Sequence, residues 1–241
     1  MKISEYKYRI EGDEKEIYFR NAPSSDYAVI HQIFQQKVYS LVGWEHKNIL
    51  ENYHQKNYLN CNSLIIDAGA NIGASSIFFS EEYSNSLVVS IEPEKNNHTL
   101  LRLNTIDKKI ITLEGAVGSE DGIMYLDDPG NGDVGFRVQS QGKYEVNVYS
   151  MNNLIEIGRK NGAMPFICKI DIEGGELELF SKNINWINAF ALIIIELHDW
   201  MLPMQGSSKN FIEAISKLDF EILHKGENLF LFNKSKLAEY R

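Results

Sequence analysis

The stretch IIDAGANIGASSIFF, Ile65 to Phe79, runs through three patterns in succession. A β-branched apolar run leads into Asp67, a loop of small residues follows, and helix-like spacing of apolar residues starts directly after it. That order predicts a buried strand ending at Asp67, a tight turn through Gly69, Ala70, Asn71, Ile72 and Gly73, and then a helix. Gly69 supplies the backbone conformation that a tight strand-to-helix turn demands, and Gly73 is expected to let the helix pack closely on the sheet. In open α/β sheets ligands bind outside the carboxyl ends of the strands, so this turn marks a cofactor site.

The spacing of the glycines narrows the cofactor. A dinucleotide turn reads G-x-G-x-x-G, and its middle glycine admits a pyrophosphate close to the backbone. Here the glycines are spaced G-x-x-x-G, with Asn71 where a side chain would crowd a diphosphate, and no phosphate-loop lysine follows. The next apolar run ends SIEPE, placing Glu92 and Pro93 roughly twenty residues after the turn, where an acidic side chain can accept hydrogen bonds from both ribose hydroxyls. Asp67 adds negative charge beside the loop, which disfavours phosphate and favours a cation. S-adenosylmethionine has a ribose, no phosphate and a positive sulfonium.

Outward from the turn, strand and helix patterns alternate. LIIDAG, SLVVSIEPE, IITLEGAVG, FICKIDIEGGE and FALIIIELHDW read as strands. ASSIFFSEEY, NNHTLLRLNT, MNNLIEIGRK, ELELFSKNI and SSKNFIEAISKLD read as helices. FEILHKGENLFLFNK closes the chain as a hairpin, which puts one antiparallel strand at a sheet edge. Such alternation gives a mostly parallel sheet with helices on both faces. Residues 120–149 break the rhythm: the turn-rich DDPGNGDVG between short alternating runs predicts an extra β-hairpin. Upstream, Ile3 to Phe19 alternate around EGDE as another hairpin. SSDYAVIHQIFQQKVYSLV then reads as a helix capped by Ser25 or Asp26, with Val29, Ile30, Ile33, Phe34 and Val38 on one face. Residues 1–60 are expected to form a hairpin and helical cap, and 61–241 the main domain.

Composition bounds the function. The 241 residues carry 44% hydrophobic and 24% charged residues, the range of an ordinary globular protein. A net charge of −9 argues against nucleic acid and against an anionic membrane as partners. No run approaches the ~20 apolar residues of a membrane span, and the charged N-terminus lacks a signal-peptide core. Cys61 and Cys168 form no metal-type pair, so the expectation is a reduced, cytoplasmic protein. The N-terminal hairpin offers an edge that could pair across a homodimer.

IIDAGANIGASSIFF, SIEPE, GAVGS, ICKIDIEGGELELF and ALIIIELH, in that order, resemble the FkbM-type S-adenosylmethionine-dependent methyltransferases over roughly residues 63–198. SSDYAVIHQIFQQKVY resembles the segment that precedes their fold. KIDIEGGE, Lys169 to Glu176, is the most specific piece. The resemblance implies a class I, Rossmann-like, mostly parallel seven-stranded sheet with a terminal antiparallel hairpin. It also implies O-methylation of a hydroxyl on a sugar, glycan or secondary metabolite, so the acceptor is a small molecule or saccharide. Asp67, Gly69, Ala70, Asn71 and Gly73 would form the turn around the amino-acid part of the cofactor. Glu92 would take the ribose with Pro93 beside it, Ala116 and Val117 would flank the adenine, and Lys169 and Asp171 would lie near the methyl group. One departure is YSMNNLIE, where the family often carries a Leu-Asp pair.

Methyl transfer to an alcohol needs alignment and a group that takes or strongly binds the hydroxyl proton. Asp171 and Glu173 follow a buried strand, and His198 ends the next one, so these three are the catalytic candidates. His198 has a near-neutral pKa by type, as a base requires. Glu176 reads as favourable charge at a helix start. Glu196, inside an apolar strand, needs a partner such as Lys169. Asp171, Glu173, His198 and Asp199 could gather a divalent cation such as magnesium, an option that is not favoured because no spacing fixes its geometry. Tyr39, Trp44, Tyr53, Trp200, Phe136 and Arg137 could face an acceptor, with core packing or solvation as the simpler reading. Competing functions are a non-catalytic cofactor-binding scaffold, an NAD-dependent oxidoreductase lacking its expected fingerprint, and a nucleic-acid methyltransferase lacking a basic face.

Overall fold

The computed structural model of the protein describes residues 3–10, 13–21, 23–127, 137–139 and 144–241. Strands β1 (Ile3–Ile10) and β2 (Asp13–Arg20) pair antiparallel as the N-terminal hairpin. Helix α1 (Asp26–Ile30) runs into a π turn at His31–Gln35, and α2 (His46–Asn57) follows. The alternating region opens with β3 (Asn62–Ala68), α3 (Ala74–Glu82), β4 (Ser86–Glu92), α4 (Lys95–Asn104) and β5 (Ile110–Glu114). Then come β6 (Ala116–Gly118), β7 (Gly122–Asp127), β8 (Arg137–Gln139) and β9 (Tyr144–Ser150). The chain ends with α5 (Met151–Lys160), β10 (Ala163–Ile170), α6 (Glu176–Leu179), β11 (Leu192–Glu196), α7 (Lys209–Ile215), β12 (Phe220–Lys225), β13 (Asn228–Asn233) and α8 (Lys234–Leu237).

Seven strands form the main sheet in the order β12-β13-β11-β10-β3-β4-β5. β3 and β4 are buried along almost their whole length because helices cover both faces, which is why their sequences are continuous apolar runs. One core packs Ile65, Phe79, Phe166 and Phe230 with Ile17, Ile30, Leu50 and Tyr53 of the N-terminal segment. The other packs Leu64, Ile66, Cys168 and Ile193 with Leu154, Phe180 and Phe211. Strand order reverses between β3 and β10, and the crevice beyond the carboxyl ends of this pair is where an open α/β sheet binds its ligand. Among the described residues no helix is long and apolar enough to cross a membrane.

Four local expectations change. The antiparallel strand β13 lies one position in from the edge, between β11 and β12. Phe230, Leu231 and Phe232 make it the apolar member of the hairpin, whereas β12 alternates and tolerates the edge. The insert is more than a hairpin: β7, β8 and β9 join β6 in a separate four-stranded sheet, with β6 leaving the main sheet directly after Gly115. Residues 128–136, which hold Phe136 and the rest of the DDPGNGDVG turn after Asp127, and the Arg137 side chain lie outside the described residues. The helix expected from Ser25 to Val38 stops at Gln36, and Lys37 turns left-handed with φ +54°. Asp26 does not cap it but is buried against Arg20, with Arg20 Nη2 2.6 Å from its Oδ1. ELELFSKNI is helical only over α6, and a 3₁₀ turn at Ile184–Ala189 follows.

Candidate functional site

The turn after β3 is built by its backbone. Gly69 and Ala70 N–H both donate to Ile91 C=O, at 3.0 and 2.9 Å, which ties the loop to the end of β4. Gly69 has φ +79°, and a Cβ there would lie 1.7 Å from the carbonyl oxygen of Asp171. The turn and the exit of β10 therefore touch backbone to backbone at the switch point. Gly73, φ +92°, serves a different neighbour from the one expected: its missing Cβ makes room for Leu101 of α4 and for Thr105 just after it rather than for the sheet. Asn71, φ +49°, and Glu173, φ +53°, are non-glycine residues in the left-handed region, and both line the same cavity. Such strained positions gather at ligand sites.

Asp67 lies one layer below the loop and does not line the cavity. Ser75 and Ser76, at the start of α3, both donate hydroxyl hydrogen bonds of 2.6 Å to its Oδ2, so the Ser-Ser pair clamps the strand end to the helix. Lys169, 2% exposed, sits 3.2 Å from Asp67 Oδ1 and 3.5 Å from Asp171, and donates to Gly69 C=O at 2.7 Å. Burial opposes the Lys169 charge, but Asp67, together with Tyr39 and Asp171, raises its pKa above the ordinary lysine value. Lys169 thus compensates Asp67, and the negative charge facing the cavity comes from other carboxylates.

One of these is Glu92. Its Oε2 accepts from Asn71 N–H at 2.9 Å, and its Oε1 from Glu94 N–H at 2.9 Å and Asn97 Nδ2 at 3.3 Å. These bonds take three of the roughly four acceptor positions of a carboxylate, leaving room for about one further donor rather than two. Burial pushes Glu92 up to about 7 despite those bonds. Asn97 also accepts from Arg20 Nη2 at 2.6 Å, so a buried chain Asp26–Arg20–Asn97–Glu92 links the N-terminal segment to the site. At the other end of the turn, Asn104 Nδ2 donates to Ile72 C=O and to Tyr18 C=O of β2.

The remaining carboxylates converge at the ends of β10 and β11. β10 ends at Ile170, so Asp171 lies just beyond it, and the turn at Glu173 and Gly174 brings Glu173 back beside it. His198 Nε2 is 3.5 Å from Asp171, 3.6 Å from Glu196 and 3.7 Å from Glu173. Its Nδ1 meets Glu176 Oε1 at 2.7 Å. Glu176 stands in the first turn of α6, as its position suggested, but it is 0% exposed and its carboxylate is held by His198 and the Gly174 N–H. Burial works against an imidazolium, yet the neighbouring carboxylates of Asp171 and Glu176 push His198 up to about 11. At neutral pH it carries a proton and, ringed by carboxylates, is not the ready base that residue type implied. Burial likewise opposes Asp171, but Lys169 and His198 hold it down at about 2. Burial, reinforced by Asp171, raises Glu173 and takes Glu196 to about 7.

A cavity of about 540 Å³ joins these parts. Of the candidate residues, Gly69, Ala70, Asn71, Glu92, Pro93, Ala116, Val117, Asp171, Glu173 and His198 line it, and Asp67 and Gly73 stand behind the wall. Gln32, Gln36 and Tyr39 of the N-terminal segment close one side, and Trp200 stands at another, 67% exposed. Trp44 and Tyr53 pack in the core against Phe230 and Phe166. Asp199 turns away to the amide of Ser208. Gln32 and Gln36 are cavity residues that sequence reading left out, and Glu196, read as a buried acid in need of a partner such as Lys169, lies at the cavity beside His198 instead.

The profile of the methyltransferase FkbM domain matches residues 67–222. Among curated proteins, the hexuronic acid methyltransferase AglP of Haloferax volcanii is 24% identical over 168 residues, 68% of each chain. Among solved structures, the fibrillarin pre-rRNA processing protein of Methanococcus jannaschii is 12% identical with a TM-score of 0.46, over 95% of this chain and 83% of that one. A putative caffeoyl-CoA O-methyltransferase of Staphylococcus aureus is 13% identical with a TM-score of 0.44, over 86% of this chain and 91% of that one.

Proposed function

Since the chain belongs to the FkbM methyltransferase family, and is thereby an S-adenosylmethionine-dependent methyltransferase, we propose that it methylates a hydroxyl group of a saccharide. The observation that carries this reading is the convergence of Asp171, Glu173 and His198 on one cavity with the glycine turn. The hexuronic acid named for the Haloferax relative supports a sugar acceptor, as does the exposed face of Trp200 beside the acidic group, since an aromatic face suits the apolar side of a sugar ring.

The residues fit the cofactor. Gly69 lets the turn lie backbone to backbone against the exit of β10, Asn71 Oδ1 is buried without a hydrogen-bond partner, and Glu92 retains acceptor capacity. Asp67, Ala70 and Gly73 shape the turn, and Pro93, Ala116 and Val117 form the wall beyond Glu92. S-adenosylmethionine supplies an electrophilic methyl group on a sulfonium. Glu173, raised in pKa and facing the cavity, takes the hydroxyl proton. His198 holds Asp171 and Glu173 in place, and Lys169 keeps Asp171 ionised. Within the N-terminal cap, the segment from Ser25 to Tyr39 closes the cavity.

Calorimetric titration with S-adenosylhomocysteine, followed by transfer of a labelled methyl group to neutral sugars and hexuronates, tests the reading. Saturable binding and a label that survives mild alkali, as an ether does, are expected. An alkali-labile product would mean carboxyl methylation, and binding without turnover on any sugar would favour a non-catalytic scaffold. Trp200→Ala should raise the acceptor KM about tenfold and leave cofactor affinity unchanged.

Glu92→Gln should weaken S-adenosylhomocysteine by about tenfold or more at pH 8, because a charge-assisted acceptor becomes a neutral one. Wild-type affinity should also fall as the pH drops through about 7 and Glu92 takes up its proton, a dependence that the variant lacks. The stability effect has the opposite sign. A carboxyl whose folded pKa is raised binds protons better when folded, so its ionisation costs stability as pH rises through that value. The variant should be no less stable than wild type at pH 8 by urea unfolding. Weaker binding together with a large loss of stability would make Glu92 a structural residue.

A further inference from the structure

We propose that His198 Nε2, Asp171 and Glu196 form a binding site for one divalent transition-metal cation. The site opens into the cavity, so the ion could bind the acceptor through adjacent oxygens. In that respect it deepens the saccharide reading and rests on it, while the binding of the ion itself does not.

One ligand atom from each of the three residues lies within 4.8 Å of the other two. His198 carries the argument beyond an acidic cluster. The side chain is 2% exposed, and its ring is fixed by the 2.7 Å contact between Nδ1 and the buried Glu176. A carboxylate on the far nitrogen is the arrangement that orients a metal-bound imidazole and sets its tautomer. The other nitrogen faces Asp171 and Glu196 and becomes a ligand when the ion displaces its proton. Asp171 Oδ1 and Glu196 Oε1 stand 3.5 and 3.6 Å from it, beyond the 2.7–3.2 Å of a good N–H···O bond. Ligand atoms that share an ion through bonds of about 2.1 Å lie roughly 3.0 Å apart in an octahedron and about 3.4 Å apart in a tetrahedron. The two gaps to the imidazole fall just outside that range and the gap between the carboxylates is within 4.8 Å, so side-chain rotation of the two acids closes the set.

Charge points the same way. Lys169 is shared among Asp67, the backbone of the turn and Asp171, so three carboxylates, Asp171, Glu173 and Glu196, face one imidazole and only part of one ammonium charge. An acceptor rich in oxygen would enter this surplus of negative charge unfavourably unless a cation lay between. One imidazole with two carboxylates suits manganese, iron or zinc better than magnesium, which favours oxygen alone. Glu173 stays outside the set, free for the hydroxyl proton.

The test is a titration of chelator-stripped protein with Mn(II), read by loss of the free-ion paramagnetic resonance signal, with S-adenosylhomocysteine affinity measured in parallel. One equivalent bound with micromolar affinity is expected. Glu196→Gln and Asp171→Asn, both near-isosteric, should each weaken it by about tenfold or more. Glu196→Gln should leave S-adenosylhomocysteine binding at the wild-type level, which reports a folded protein and an intact cofactor site. No saturation by millimolar Mn(II), or binding unchanged in both variants, would overturn the site. Loss of S-adenosylhomocysteine binding by the wild type would instead count against the cofactor assignment.

Discussion

Gly69→Ala should lower affinity for S-adenosylhomocysteine by about a hundredfold or more, because the new methyl group cannot be absorbed without moving the strand end it meets. The added Cβ would stand 1.7 Å from the carbonyl oxygen of Asp171, which is backbone and cannot rotate away. Either the turn lifts from β10, or the exit of β10 shifts and takes Asp171 with it. A left-handed alanine costs ~1–2 kcal/mol by itself, and overpacking adds ~1–3 kcal/mol. Gly162→Ala separates the two. Gly162 has a similar φ of +74°, with nothing within 4 Å of its missing Cβ, so that variant should lose only the conformational part and bind normally. Urea unfolding and calorimetry on both variants give the comparison. Equal destabilisation, with wild-type affinity in Gly69→Ala, would mean that the contact between the turn and β10 does not matter to the site.

That contact also marks the limit of what the sequence could tell. The strand–turn–helix order at Ile65–Phe79 is legible because burial on both faces of a parallel strand leaves a local apolar signature, and the left-handed turn needs its glycines. The parallel pairing of β3, β4, β5, β10 and β11 follows from the alternation of strands and helices, whereas their order, with β10 beside β3, does not. What the alternation leaves open is which polar groups are buried together. Asp67 was read as charge facing a cofactor because Lys169, its partner, is distant in sequence. Glu176 was read as favourable charge at a helix start, which it is, but nothing local reveals that it is buried with His198 against it. Ser25–Val38 was read as one helix because a π turn has no periodicity of its own in so short a segment. The hydrogen bonds of Asn97 and Asn104 to the N-terminal segment are invisible in a sequence where asparagine is common on helix surfaces.

Lys169→Met should be the most destabilising single change near the site, by ~3–5 kcal/mol, since it leaves a buried carboxylate without its counter-charge. Asp67 is 0% exposed, and its Oδ1 has no hydrogen-bond partner, only the Lys169 ammonium at 3.2 Å. If that is the cause, removing the stranded charge should repair the damage. The double variant Lys169→Met with Asp67→Asn should recover most of the loss, because an amide oxygen can still accept from Ser75 and Ser76. Recovery of fold need not bring recovery of activity, for Lys169 also holds Asp171 down at about 2. The pH dependence separates these roles. A carboxyl with a depressed folded pKa contributes stability that is complete above its unfolded value of ~3.9 and is lost as pH falls towards the folded one. Without Lys169, the folded pKa of Asp171 rises and that contribution shrinks, so both variants should show less of the Asp171 component of acid unfolding than wild type. Urea unfolding at pH 7 and at pH 3 provides the readout. A double variant as unstable as the single one at pH 7 would mean that packing of the lysine stem, and not the charge on Asp67, is what Lys169 contributes to the fold.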